Sequence, residues 1–174
     1  PSVDAFDERV DQLLEIVRSS KTAGRVFLAA SRLGDFSVVW HLIAVSRAMT
    51  GRKRASQALA IAALLGAESL IVNQGVKRIF KRDRPTSSGD DRFEVRTPST
   101  SSFPSGHASS AFFAAIVLSG WVDSGWIAAF FVFAVIIAMS RVVVRIHHVS
   151  DIVVGSFVGA LLGTIALQFT ASIT

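Results

Sequence analysis

Residues Trp126 to Met139 read WIAAFFVFAVIIAM, apolar on every side of any helix they form. A helix at the surface of a soluble protein keeps one polar face, so this segment needs lipid or a large protein interior around it. It has company. Five long apolar stretches run along the 174-residue chain, at about 36 to 49, 55 to 76, 105 to 122, 125 to 144 and 151 to 173, with short polar breaks between them. At a rise of about 1.5 Å per residue, about 20 residues cross a bilayer core of about 30 Å. The second, fourth and fifth reach that length. The first and third fall short and cross only if they tilt little or borrow flanking residues. The expected fold is therefore all-α: a polytopic membrane helical bundle of about five transmembrane helices. A soluble all-helical bundle would need polar faces that the fourth stretch lacks.

Composition narrows the function classes. Hydrophobic residues make up 51% and charged residues 18%, at a mean hydropathy of +0.50, against roughly 25% charged in a soluble domain. A chain this apolar would not stay disordered. With no cysteine, disulfide scaffolds, thiol catalysis and cysteine-ligated metals are excluded. The 18 Lys and Arg against 13 Asp and Glu leave +5, so a basic surface must meet something anionic: nucleic acid, a headgroup layer or a phosphorylated substrate.

Residues 2–19 behave differently from the spans. Val3, Phe6, Val10, Leu13, Leu14 and Val17 recur at threes and fours while Asp4, Asp7, Glu8, Asp11 and Glu15 fill the other side, which predicts an amphipathic helix. No internal repeat and no domain boundary stands out, so residues 1–174 read as a single membrane-integral domain. One connection is long, at 82–103, rich in Ser, Thr, Pro, Gly and Asp. Loops of this length in a compact protein are more often functional than idle.

Chemistry gathers on both sides of that loop. Before it, Lys77, Lys81 and Arg84 are spaced four and three apart, so a continuing helix would carry three cations on one stripe; snorkelling basic residues at a helix end give the same pattern. After it, Pro104, Ser105, Gly106 and His107 stand directly ahead of an apolar helix. A helix start offers unpaired N–H groups and a positive dipole end to an anion, although Ser105 could equally be a plain N-cap. The third cluster is Ser140, Arg141, Arg145, His147, His148 and Asp151, where the fourth span meets the fifth. If the fifth helix begins by His147, then His147 and Asp151 share a face, and an Asp-oriented imidazole is the arrangement that makes a nucleophile or base. Two histidines and an acid also read as metal ligands, but adjacent His147 and His148 point in different directions.

Taken together, the clusters resemble the type 2 phosphatidic acid phosphatase superfamily, whose signatures K-x6-R-P, P-S-G-H and S-R-x5-H-x3-D are complete here: Lys77 with Arg84 and Pro85; Pro104 to His107; Ser140 and Arg141 with His147 and Asp151. The motifs cover Lys77 to Asp151, and the helix pattern extends the likeness from Ala55 to the C-terminus. The N-terminus departs from it, since membrane members usually have six spans. The resemblance implies that His147 attacks phosphorus and forms a phosphohistidine, that Asp151 fixes its tautomer, and that His107 protonates the leaving alkoxide and then serves as base for water. It implies that Lys77, Arg84 and Arg141, with the Ser105 hydroxyl and the Gly106 N–H, bind the phosphoryl oxygens. No metal or other cofactor is expected, because fixed cations do what magnesium does elsewhere, and vanadate is expected to inhibit.

A phosphate pocket at the end of lipid-embedded helices suits a substrate whose tail stays in the bilayer. The partners expected are a lipid phosphate and the membrane, not nucleic acid, and the localisation implied is the bacterial plasma membrane. Within the family's range a polyprenyl-linked substrate leads, either a polyprenyl diphosphate or decaprenylphosphoryl phosphoribose phosphate, with phosphatidic acid or phosphatidylglycerol phosphate as the alternative. Rival classes are a soluble acid phosphatase or haloperoxidase and a catalytically idle lipid-phosphate binder. His41, Glu68, Asn73 and Gln74 read first as helix-to-helix hydrogen-bond partners, and Gly155, Gly159 and Gly163 as a close-packing stripe. With five spans, 14 of the 18 Lys and Arg lie on the side of the motifs and four, Arg47, Arg52, Lys53 and Arg54, on the other; the positive-inside rule then turns the active site to the cytoplasm.

Overall fold

The structure is a computed structural model that describes residues 2–86, 90–95, 97 and 99–170, and these form helices and loops with no strand among them. The amphipathic segment comes as two helices, α1 (Val3–Leu13) and α2 (Glu15–Ser19), bent at Leu14. The bend turns Arg18 inward: it is 4% exposed, and its guanidinium donates to the carbonyls of Val143 at 2.9 Å and Val142 at 3.0 Å.

Helix α3 (Lys21–Gly34) leads into α4 (Val38–Ala48). Between them Phe36 and Ser37 take φ of 52° and 58°, a left-handed pair that costs of order 1–3 kcal/mol each and recurs near functional sites. The first apolar stretch thus does borrow flanking residues, since Lys21–Ala48 as a whole is long and apolar enough to cross a membrane. α5 (Arg52–Ser69) runs through a π-wound segment, Leu70–Val76, into the short α6 (Lys77–Ile79). Then come α7 (Gly106–Ser119), α8 (Ile127–Val143) and α9 (Val149–Phe169).

Among the described residues four segments have the length and hydropathy of a membrane span, 21–48, 52–79, 124–143 and 149–169, and α7 is a shorter apolar helix. The reason α7 can be short lies in its place. Ala108, Ala111, Ala114, Ala115 and Val117 are 0% exposed, enclosed by α5, α8 and α9. The outer helices instead expose Leu42, Leu59, Val132, Phe133, Phe157 and Leu161, the apolar belt a bilayer requires.

The glycine stripe packs as its spacing suggested. A Cβ at Gly155 or Gly159 would collide with the carbonyl oxygen of Ser105 or Ser109, and one at Gly163 would stand 3.0 Å from that of Phe113. α9 therefore lies backbone to backbone against α7, which brings the start of α7 beside the start of α9. The loop after α6 folds over this end: Phe93 packs with Val143, Val144 and Ile146, and Asp90 donates its N–H to the Val144 carbonyl at 3.3 Å.

Candidate active site

The three sequence clusters converge. A cavity of about 350 Å³ is lined by Lys77, Gly106, His107, Arg141 and His147, together with Asp35, Glu68, Asn73 and Thr100. A wider cleft of about 820 Å³ adjoins it, shares Asn73, Gln74, Lys77 and Thr100, and carries Arg78, Lys81 and Arg84 on its wall. Of the eight residues picked from sequence, five line the smaller cavity, two touch His147 and one is set back.

His147 lies in the corner between α8 and α9, 2% exposed. α9 begins at Val149, two residues later than the shared-face argument needed, with His148 as N-cap. The contact survives because Asp151 folds back over the helix start, its Oδ2 accepting the His148 N–H at 2.9 Å and standing 3.5 Å from His147 Nδ1. At that separation the carboxylate would pair with the ring only once it is positive; among the described residues Nδ1 makes no hydrogen bond. On the other face, Nε2 is 3.4 Å from Arg84 Nη1. Burial pushes the His147 ring down to about 3, with the cations Arg141, Arg84 and Lys77 adding to it against the pull of Asp151. The imidazole is neutral at ordinary pH, the form in which it is a nucleophile.

Arg84 reaches the ring from the loop. Helix α6 stops at Ile79 and Phe80 is extended (φ −106°, ψ 139°), so the helical stripe expected for Lys77, Lys81 and Arg84 does not form. Arg84 is held instead by the carbonyls of Ile146 at 2.8 Å and Thr100 at 3.0 Å, and burial lowers its pKa from the usual guanidinium range. Lys77, 7% exposed, follows directly on the π-wound segment, where a wider turn re-aims side chains and often marks a functional site. Arg141 is 2% exposed and donates to the Ser31 hydroxyl, while its Nε has no partner among the described residues.

At the start of α7 the two readings of Ser105 divide. Its hydroxyl accepts the Ala108 N–H at 3.4 Å and its side chain is wholly buried, off the cavity wall, so the structure uses it as an N-cap. Gly106 faces the cavity with Asn73 against it; a Cβ there would stand 2.6 Å from Asn73 Oδ1. His107 Nε2 pairs with Asp35 Oδ1 at 2.8 Å. Glu68 accepts from Ser109 between α5 and α7, the helix-to-helix bond expected of it.

Two residues escaped the sequence reading, Asp35 and Asp7, while Arg82 lies near the pocket in sequence but matches no motif position. Asp35 sits at the α3–α4 break beside His107. Arg82 donates to Asp151 Oδ1 and to Asp7 Oδ2, each at 2.7 Å. Burial raises the Asp7 carboxyl, but hydrogen bonds from Ser150 and Arg82 outweigh it and hold the group below the usual carboxylate range. A carboxylate placed directly ahead of the first apolar stretch was the visible signal at Asp35. His148 is occupied in capping α9, and among the described residues no group of three His, Cys, Asp or Glu is arranged to hold a metal ion.

The model of the PAP2 superfamily matches residues 55–173. The chain belongs to the PAP2 superfamily. Two curated relatives are named decaprenylphosphoryl-5-phosphoribose phosphatase. The protein from Mycolicibacterium smegmatis is 34% identical over 129 residues, 73% of this chain and 68% of its own. That from Mycobacterium tuberculosis (H37Rv) is 31% identical over 136 residues, 78% of this chain and 73% of its own. In fold, this PAP2 protein is similar to a transmembrane PAP2-type phosphatidylglycerolphosphate phosphatase from Bacillus subtilis, with a TM-score of 0.78 and 24% identity over 99% of this chain and 88% of that one. It is also similar to Aquifex aeolicus LpxE, with a TM-score of 0.70 and 24% identity over 90% of this chain and 93% of the other. Family and relatives together make it a membrane-integral phosphatase acting on a lipid phosphate.

Proposed function

We propose that this PAP2 phosphatase removes the terminal phosphate of a polyprenyl-linked substrate, of the kind decaprenylphosphoryl-5-phosphoribose, through a phosphohistidine at His147. The observation that carries the chemistry is the single cavity walled by His107, His147, Lys77 and Arg141. His147 Nε2 attacks phosphorus in line as the P–O bond to the sugar breaks, and His107 gives its proton to the departing alkoxide. Asp151 beside Nδ1 balances the positive ring that results. His107, oriented by Asp35, then takes a proton from water as its oxygen attacks phosphorus, the N–P bond breaks and phosphate leaves.

Lys77, Arg84 and Arg141 balance the phosphoryl charge as it spreads, helped by the Gly106 N–H. Such fixed cations supply the electrostatic stabilisation that positioned metal ions give in other phosphoryl transfers. The preference for a polyprenyl substrate is supported by the two mycobacterial relatives, whose names state that lipid. The site faces the cytoplasm in this proposal, on the Lys and Arg asymmetry of the loops.

The deciding measurement is phosphate release in detergent with EDTA present, across prenyl monophosphates and diphosphates, prenyl-phosphosugars and glycerolipid phosphates, for wild type and His147→Ala. The expected result is fastest release from the prenyl-phosphosugar phosphate and loss of release, on the order of 10³-fold or more, in the variant. Equal release by both proteins removes His147 as nucleophile. Preference for a glycerolipid phosphate turns the assignment to that class.

A further inference from the structure

The N-terminal helix reaches the reacting centre, and it does so from outside residues 55–173, the part that matches the superfamily. On α1, Phe6 is 53% exposed whereas the next residue, Asp7, is only 4% exposed. Both oxygens of Asp7 are engaged at the first turn of α9. Oδ1 accepts the Ser150 N–H at 2.9 Å, and Oδ2 accepts the Ser150 hydroxyl at 2.6 Å and the Arg82 guanidinium at 2.7 Å. A carboxylate on a first-turn N–H does the work of an N-cap, here supplied by another helix.

Arg82 carries the contact inward. Its Nη1 donates to Ser150 Oγ and to Asp151 Oδ1, each at 2.7 Å, and its Nη2 also stands 3.3 Å from Asp4. Asp151 is 0% exposed and turns its second oxygen to the His148 N–H and to the His147 ring. Asp7, Arg82, Asp151 and His147 thus form an unbroken row of side chains from the N-terminal helix to the ring.

We propose that Asp7 is a positioning residue for the reaction: acting through Arg82, it sets the rotation and the effective charge of the Asp151 carboxylate, and so the aim of His147. The proposal rests on the reading of His147 as nucleophile. One guanidinium is shared between two buried carboxylates. Remove the Asp7 charge and Arg82 closes wholly on Asp151, drawing that carboxylate away from the ring that must become positive, while the Ser150 N–H loses its cap. A purely structural Asp7 would cost stability and leave turnover per folded molecule alone.

The test uses the full chain in detergent: Asp7→Asn, Arg82→Gln, the two combined, and Asp11→Asn as a control on the same helix. Asp11 ties α1 to Arg18 and, at 3.2 Å, to Arg145, so its loss loosens the helix without touching the row. Asp7→Asn is expected to lower kcat about tenfold with KM within about twofold, a loss typical of a slightly misplaced reacting group. In the Arg82→Gln background the same change is expected to do almost nothing, since coupled residues are non-additive. Asp11→Asn is expected to lower the melting temperature and keep kcat.

Orthovanadate affinity, read by calorimetry, separates this inference from the choice of substrate. Wild type is expected to bind vanadate about tenfold more tightly than Asp7→Asn, whatever lipid it turns over. An unchanged kcat, equal vanadate affinities, or losses in Asp7→Asn and Arg82→Gln that add in full each overturn the proposal.

Discussion

The protonation of His147 links stability to pH. Its folded pKa, about 3, lies below the ordinary 6.5. A depressed histidine contributes stability that is fully present above pH 6.5 and is lost as pH falls from there toward 3, by up to about 1.4 kcal/mol per pH unit for one proton. Thermal unfolding in detergent between pH 7 and pH 4 should therefore fall less steeply for His147→Gln than for wild type; parallel curves would show that the ring is not the group responsible. Asp35 makes a second case. It is the described partner of His107 Nε2, so Asp35→Ala should lower kcat about tenfold, with Asp35→Asn keeping part of it by retaining an acceptor. Steady-state kinetics on the preferred lipid phosphate reads this. His107, His147 and Asp151 were legible because each belongs to a short motif at a helix end. Asp7 and Asp35 were not, because each meets its partner only after folding, across more than 70 positions of chain.

Among the helices, periodicity and length located α4, α5 and α7 to α9 but not α3, where Lys21, Arg25 and Arg32 interrupt the apolar residues, and the glycine repeat announced the seam between α7 and α9. They also missed winding. Nothing in LIVNQGV distinguishes the π form of 70–76 from an ordinary helix, yet it decides how Lys77 enters the cavity. Nor did the spacing of Lys77, Lys81 and Arg84 reveal that the helix ends at Ile79, since a cationic stripe reads alike on a helix and on the loop beyond it. The seam yields its own prediction. Gly159→Ala must push α9 from the Ser109 carbonyl, overpacking that costs about 1–3 kcal/mol and also moves the start of α7. Both melting temperature and kcat should drop, whereas Gly66→Ala, where a Cβ meets open space, should leave both in place. A Gly159→Ala protein as stable as wild type would show that the seam can open without cost.

For the molecule entire, the bundle was foreseeable from hydropathy because lipid leaves a backbone few alternatives. Orientation can be read directly, since the chain has no cysteine and single thiols can be introduced cleanly. Ser99→Cys beside the cavities and Thr50→Cys at the opposite end should label from opposite sides of sealed vesicles, with Thr50→Cys reacting from outside intact cells. Labelling of Ser99→Cys from outside would reverse the orientation. The enclosure of α7 bears on how the enzyme tolerates its host. Rods that touch lipid tilt or stretch when acyl chains lengthen, but α7 is walled in by its neighbours, so such a disturbance has no direct purchase on it. Reconstitution into thinner or thicker bilayers should therefore alter how readily substrate is captured, leaving the step at phosphorus nearly indifferent to the membrane around it.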